Sequence, residues 1–233
     1  SIKELQGRDW LALAGLGMLS YPLSQGGFYL ALSYLPNTTV SLLLNFSPIF
    51  IALLGGLWLD EKLNRWQFLG MAISIAGAVV FFLPLENAHL SGLGLLFAGI
   101  ALLANVFSSI YARKVLRGGT YPVMVITGVC MGIGATVLVG GSAAWEWIPR
   151  ISIQVWGMLI LLALINTALA FTMWNSSLQR LTAIEANIIN NTMLVQIALE
   201  SWIFLGDIIT LKMVIGMLLV MGGAVLVNLR GSR

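Results

Sequence analysis

The sequence predicts an all-α integral membrane protein of eight transmembrane helices arranged as an inverted-repeat bundle. Three observations predict it. Hydrophobic residues make up 59% of the chain and charged residues only 9%, against roughly 25% charged in a soluble domain, so the chain cannot dress a water-facing surface. Its apolar residues fall into eight runs long enough to cross a bilayer. The chain also matches itself without gaps at an offset of 146 residues, and a duplicated hydrophobic unit marks many membrane-carrier folds.

A hydrocarbon core of ~30 Å needs about 20 apolar residues per helix. The qualifying runs are A (about 10–32), B (38–58), C (66–84), D (91–113), E (121–143), F (153–178), G (183–205) and H (210–229). Short loops make neighbours antiparallel hairpins. Loop charges orient them. Lys3, Arg8, Lys62, Arg65, Arg113, Lys114, Arg117, Arg180, Arg230 and Arg233 fall in one set of loops, and only Arg150 and Lys212 in the other. The basic set belongs on the cytoplasmic side of an inner membrane, which puts both ends of the chain there. The net charge of +3 then reports topology and not nucleic-acid binding.

The self-match pairs Leu32 with Leu178, Asn45 with Asn191, Gly70-Met71 with Gly216-Met217 and Gly77-Ala78-Val79 with Gly223-Ala224-Val225. Chance aligns leucines easily, but not an asparagine and two glycines at once. Runs A, B and C therefore repeat as F, G and H. Five spans separate the start of A from that of F, an odd number, so the copies cross in opposite directions. Residues 1–86 form the first unit and 87–233 the second. The second has five runs and the first three, which leads us to expect two further helices upstream of Ser1.

Runs B and C contain Pro48, Glu61, Gln67, Gly70 and Gly77-Ala78 at the spacing of a known repeat. The second copy has Leu194 for the proline, Asp207 for the glutamate and Met213 for the glutamine, and run F contributes ALAFTMWNSSL before it. On these residues the chain resembles the EamA-type family of the drug/metabolite transporter superfamily. The resemblance implies a ten-helix, two-unit carrier of small metabolites whose first two helices lie outside this sequence. It does not identify the solute: an amino acid, an amine, a related solute or a drug would fit.

Polar residues inside a membrane mark a pathway or a partner. In run G, Asn187, Asn190 and Asn191 share one helical face, and Thr192, Gln196 and Glu200 roughly the opposite one. Repeat symmetry favours the first face, because Asn191 matches Asn45 and Asn187 matches Ser41, whereas Glu200 matches Leu54. In run A, Ser20, Tyr21, Ser24 and Gln25 match Asn166, Thr167, Ala170 and Phe171 of run F. Pro22 and Pro48 remove backbone donors and can kink their helices. The cavity candidates are thus Tyr21, Gln25, Asn45, Asn166, Trp174, Asn187 and Asn191. For Trp174, as for Phe28 and Tyr29, a place in an interfacial aromatic belt is the alternative. Glu200 is the candidate for coupling charge movement.

Amides also hydrogen-bond helix to helix. Thr182–Glu185 and Asn64–Gln67 have the spacing of capping boxes. Gly70/Gly77 and Gly216/Gly223 lie seven apart on one face of runs C and H, and Gly128/Gly132 four apart in E, so these are packing surfaces within the chain or in a homodimer. An enzyme needs a nucleophile with a base, or a metal cluster. The single histidine, His89, lies in a loop, and Cys130, the one cysteine, lies in an apolar run, so neither catalysis, a metal nor a cofactor is expected. The expected partners are a small-molecule solute and the lipid bilayer. A structural or receptor protein is the alternative to a transporter.

Overall fold

The computed structural model describes residues 7–59, 64–83, 91–117, 121–143, 152–205 and 209–231. Glu61, His89 and Asp207 lie outside the described residues. The elements in order are α1 (Gly7–Met18), a π-helical segment (Leu19–Gly26), α2 (Gly27–Leu32), α3 (Asn37–Leu44), α4 (Ser47–Trp58), α5 (Arg65–Phe82), α6 (Gly92–Arg117), α7 (Val123–Ala143) and α8 (Ile153–Leu161). A second π-helical segment (Leu162–Leu169), α9 (Ala170–Arg180), α10 (Ala183–Asn191), α11 (Met193–Glu200), a third π-helical segment (Ser201–Leu205) and α12 (Leu211–Gly231) complete the chain.

The count of eight membrane-crossing helices is corrected. Among the described residues five helices are long and apolar enough to cross a membrane: Asn37–Trp58, Arg65–Phe82, Gly92–Arg117, Val123–Gly141 and Ile153–Arg180. The apolar stretch Leu211–Val227 is shorter. Run A is diluted by Arg8, Asp9, Ser20, Tyr21, Pro22, Ser24 and Gln25, and run G by Glu185, three asparagines, Gln196 and Glu200. Several of these polar residues turn inward, onto cavities within the bundle. What holds is an all-α bundle of several long apolar helices, with large hydrophobics such as Leu57, Ile153 and Phe204 facing outward, as a hydrocarbon solvent allows.

The α5–α12 pair packs most tightly, and its glycines are the reason. A Cβ on Gly223 would meet the Gly70 carbonyl oxygen at 2.4 Å, and one on Gly70 would meet that of Gly223 at 2.7 Å. Gly77 and Gly216 do the same to each other, at 2.7 and 2.8 Å. The contact is antiparallel and reciprocal, each glycine touching the repeat mate of the other. Without Cβ atoms the two backbones approach closely, the arrangement small residues allow in membranes. The glycines of α7 differ: nothing lies within 4 Å of a Cβ on Gly128 or Gly132, so that face is unpacked among the described residues.

Both expected capping boxes form. Asn64 and Gln67 close the start of α5, and Thr182 and Glu185 the start of α10. Each satisfies amide groups that the first helical turn leaves open. Helix α6 runs through the middle, with Ala98, Ala101 and Ala104 buried and Gly27 of α2 seated on Ala101. Its basic end ties other helices down. Arg113 Nη1 donates to the carbonyls of Leu178 at 2.6 Å and Gln179 at 2.9 Å, and Arg117 Nη1 reaches that of Leu59 at 3.5 Å. A cation at the carbonyl end of α9 also complements its dipole. We expect Arg113→Leu to cost about 2–3 kcal/mol, the worth of hydrogen bonds to a charged donor, read as a lowered thermal midpoint in detergent.

These ties define one end of the bundle, called here the basic end. It gathers the start of α5, the start of α10 and the ends of α4, α6 and α9. Tyr121 Oη, just before α7, donates to Asp9 of α1 at 2.8 Å, which places the start of α1 there as well.

Candidate functional site

The site begins at two helix breaks. The helix α3 ends and α4 begins around Asn45 and Phe46. In a continuous helix Ile49 N–H would donate to the Asn45 carbonyl, four residues back. It donates instead to Phe46, at 3.0 Å, and the Asn45 carbonyl is left for another donor. Pro48 does not kink a helix interior, as the sequence suggested. It sits in the first turn of α4, where its missing N–H costs nothing. At the matching position of the chain α10 gives way to α11 at Thr192, whose hydroxyl donates to the Ile189 carbonyl at 2.6 Å. Val195 N–H donates to Thr192 at 2.9 Å, which frees the Asn191 carbonyl in the same way. The second break therefore forms without a proline, Leu194 standing in its place.

The two breaks meet. Asn191 Nδ2 donates to the Asn45 carbonyl at 3.4 Å, so the repeat pair is in contact. Asn45 turns its own Nδ2 back to the Ser41 carbonyl at 2.8 Å. Its Oδ1 is buried and has no hydrogen-bond partner. An unpaired buried acceptor costs about 1–3 kcal/mol, and this one lies behind the wall that Asn45 and Asn191 form.

That wall belongs to a cavity of about 480 Å³, within the usual range for small-molecule sites. Asn45, Asn105, Asn191 and Gln25 line it near midspan, and Asn37, Thr38, Phe81, Phe82, Ile209 and Met213 towards the end opposite the basic one. Asn37 and Thr38 are exposed, so the cavity opens there. None of the described residues that line it is charged. A smaller, enclosed cavity of about 50 Å³ lies alongside, lined by Ser20, Tyr21, Ser24, Gln25, Asn105, Ser108, Ser109, Cys130, Trp174 and Asn175 among others. Ser24, Gln25 and Asn105 line both and form the partition between them. Ser20, Tyr21, Ser24 and Gln25 all belong to the π-helical segment around Pro22, whose wider turn stacks residues four and five apart on one face.

The sequence candidates divide accordingly. Gln25, Asn45 and Asn191 line the larger cavity, and Tyr21, Gln25 and Trp174 the smaller. Tyr21 packs its ring 5.1 Å from that of Phe171. Trp174 also lines a third, outer groove with Asn190 and Gln196. Asn187 is buried with its Nδ2 donating to the Ala183 carbonyl of its own helix at 2.9 Å and lines none of these cavities. Asn166 and Glu200 are exposed and line none either. Asn105 is the residue missed. It is a lone amide within the apolar stretch of α6, and that isolation is the signal that could have singled it out.

The chain matches the profile of the EamA-like transporter family over residues 1–83 and 92–229. It is 23% identical over 222 residues to the Uncharacterized transporter YoaV of Bacillus subtilis, covering 91% of this chain and 70% of that one. It is 24% identical over 166 residues to the Pseudopaline exporter CntI of Pseudomonas aeruginosa, covering 67% and 55%. A protein of known crystal structure superposes with a TM-score of 0.78 at 19% identity, over 98% of this chain and 78% of that chain, and so shares the fold.

Proposed function

Because the chain belongs to the EamA-like transporter family, we propose that it carries a small polar metabolite of no net charge across the cytoplasmic membrane by alternating access. Residues 1–86 and 87–233 act as two units of opposite orientation, with the basic end towards the cytoplasm. The reciprocal glycine contact of α5 with α12 and the Asn45–Asn191 bond support that pairing.

One observation carries the reading: an amide-lined cavity at two helix breaks, with no charged side chain among the described residues that line it. Amides both donate and accept, so they replace the hydration of hydroxyls, amines and amides alike. A net charge would pay several kcal/mol to leave water for walls that offer only dipoles. Phe28, Phe81 and Phe82 in the same wall take the apolar part of the solute. Glu200, exposed and outside the cavities, has no part in this reading.

The test is counterflow into proteoliposomes with a labelled panel of amino acids, amines, carboxylates and their uncharged amide or alcohol analogues. Members without net charge should accumulate against a preload, and their net-charged analogues should not. Preferential exchange of a cation or an anion would reject the proposal.

A further inference from the structure

We infer that Gln67 and Glu185 form a latch that holds the basic end shut while the cavity stands open at the other end. Both side chains are buried, although they sit at helix starts where water would normally reach. Each serves its own capping box. Asn64 N–H donates to Gln67 Oε1 at 3.0 Å, and Thr182 N–H to Glu185 Oε2 at 3.0 Å. Capping fixes the orientation of the glutamine: with its oxygen held by Asn64, its Nε2 must point away. It points at the free oxygen of the other cap and donates to Glu185 Oε1 at 3.3 Å. The starts of α5 and α10, 118 residues apart in sequence, are thereby joined.

Among the described residues the opposite end has no equivalent. At the repeat offset Gln67 corresponds to Met213 and Glu185 to Thr39. Methionine offers no donor, and the buried Thr39 Oγ1 has no partner. Among the described residues the tie seen at that end, from Lys212 to the Leu83 carbonyl, stays within the α5–α12 pair and does not cross the opening. A two-unit carrier with its solute site between them must exchange which end is closed, and among the described residues a polar cross-link between helices of the two units, α5 and α10, is seen at the basic end.

The inference rests on the transport reading of the central cavity, but its test needs no transported solute. The reporter is Met71→Cys in a Cys130→Ser background, with a membrane-impermeant maleimide applied to sealed vesicles from each side. Met71 is buried one turn beyond Gln67, in the cluster of Ile184 and Ile188. Glu185→Gln keeps an acceptor for the cap but sets two amide donors against each other. Gln67→Glu keeps its cap but sets two carboxylates against each other. Each should raise labelling from the basic side about tenfold or more, the scale of losing a charge-assisted hydrogen bond. The reciprocal double variant, Gln67→Glu with Glu185→Gln, restores a donor facing an acceptor and should bring labelling back to the parent rate, which a merely structural role would not predict. Gln67→Met, the residue of the second unit, provides a further opening variant should Glu185→Gln fail to fold. Parent-like labelling in a folded single variant, or a double variant as open as the singles, would overturn the latch. A restored double variant in a chain that moves no solute would leave the latch standing and reject transport.

Discussion

Replacing Asn45 and Asn191 together by leucine is expected to lower solute flux about a hundredfold in proteoliposomes while leaving a folded, monodisperse chain. Asn45→Leu removes one amide from the residues that line the cavity. Asn191→Leu removes the donor to the freed carbonyl of residue 45. Two such interactions together are worth about 2–3 kcal/mol, which is that change in rate. The fold should survive, because both side chains face a cavity and leucine leaves no charge unpaired. Asn166→Leu is the contrast. Asn166 is equally polar in sequence but exposed on the second π-helical segment, so flux should stay within about twofold, the ±0.5 kcal/mol usual for surface substitutions. Undiminished flux in the double variant would remove the central site from the proposal.

The second large effect is on stability. Gly223→Ala should destabilise the chain by more than about 3 kcal/mol, the upper end of ordinary overpacking. The new Cβ would meet the Gly70 carbonyl oxygen at 2.4 Å, Ser74 N at 2.7 Å and Ser74 Cβ at 2.9 Å. Two of those atoms are backbone and cannot rotate away, so the helices must separate. Gly222→Ala, the adjacent position, has nothing within 4 Å. It should be neutral or stabilising by up to about 1 kcal/mol, since alanine is the better helix former. Thermal denaturation of the pair in one detergent decides it, and equal midpoints would mean that α5 and α12 are not in close contact.

Sequence and structure agree where the cause is local and part where it is not. Both capping boxes were legible because the residues that form them lie three apart. The glycine faces of α5 and α12 were legible as faces, but not as partners of each other. The glycines of α7 show why: Gly128 and Gly132 have the same kind of spacing and meet nothing. Hydropathy overstated the number of spans because runs A and G trade apolar residues for the polar ones that line cavities.

The candidate site was legible in its residue types and only partly in its members. Asn187, Asn190 and Asn191 lie on one ideal helical face, yet Asn190 and Asn191 reach the cavity while Asn187 bonds to its own helix. Beyond the break at Thr192 the asparagine face continues through Leu194 and Ala198, which line the cavity, and Glu200, on the opposite face, does not. Asn105 escaped notice because α6 offers no repeat mate to compare it with.

The sequence by itself determined that this is a multi-pass membrane chain of a transporter family, where its helices start, and that residues 146 apart match in type. Those properties come from composition, from contacts within one turn and from comparison of the chain with itself. Only the tertiary structure decided that Asn45 and Asn191 touch, that a cavity beside them is lined by amides and open at one end, and that Gln67 reaches Glu185. Each of these depends on how a helix is rotated about its axis and where its hydrogen-bond ladder breaks. A rotation of 100° per residue turns a small shift in phase into a different face.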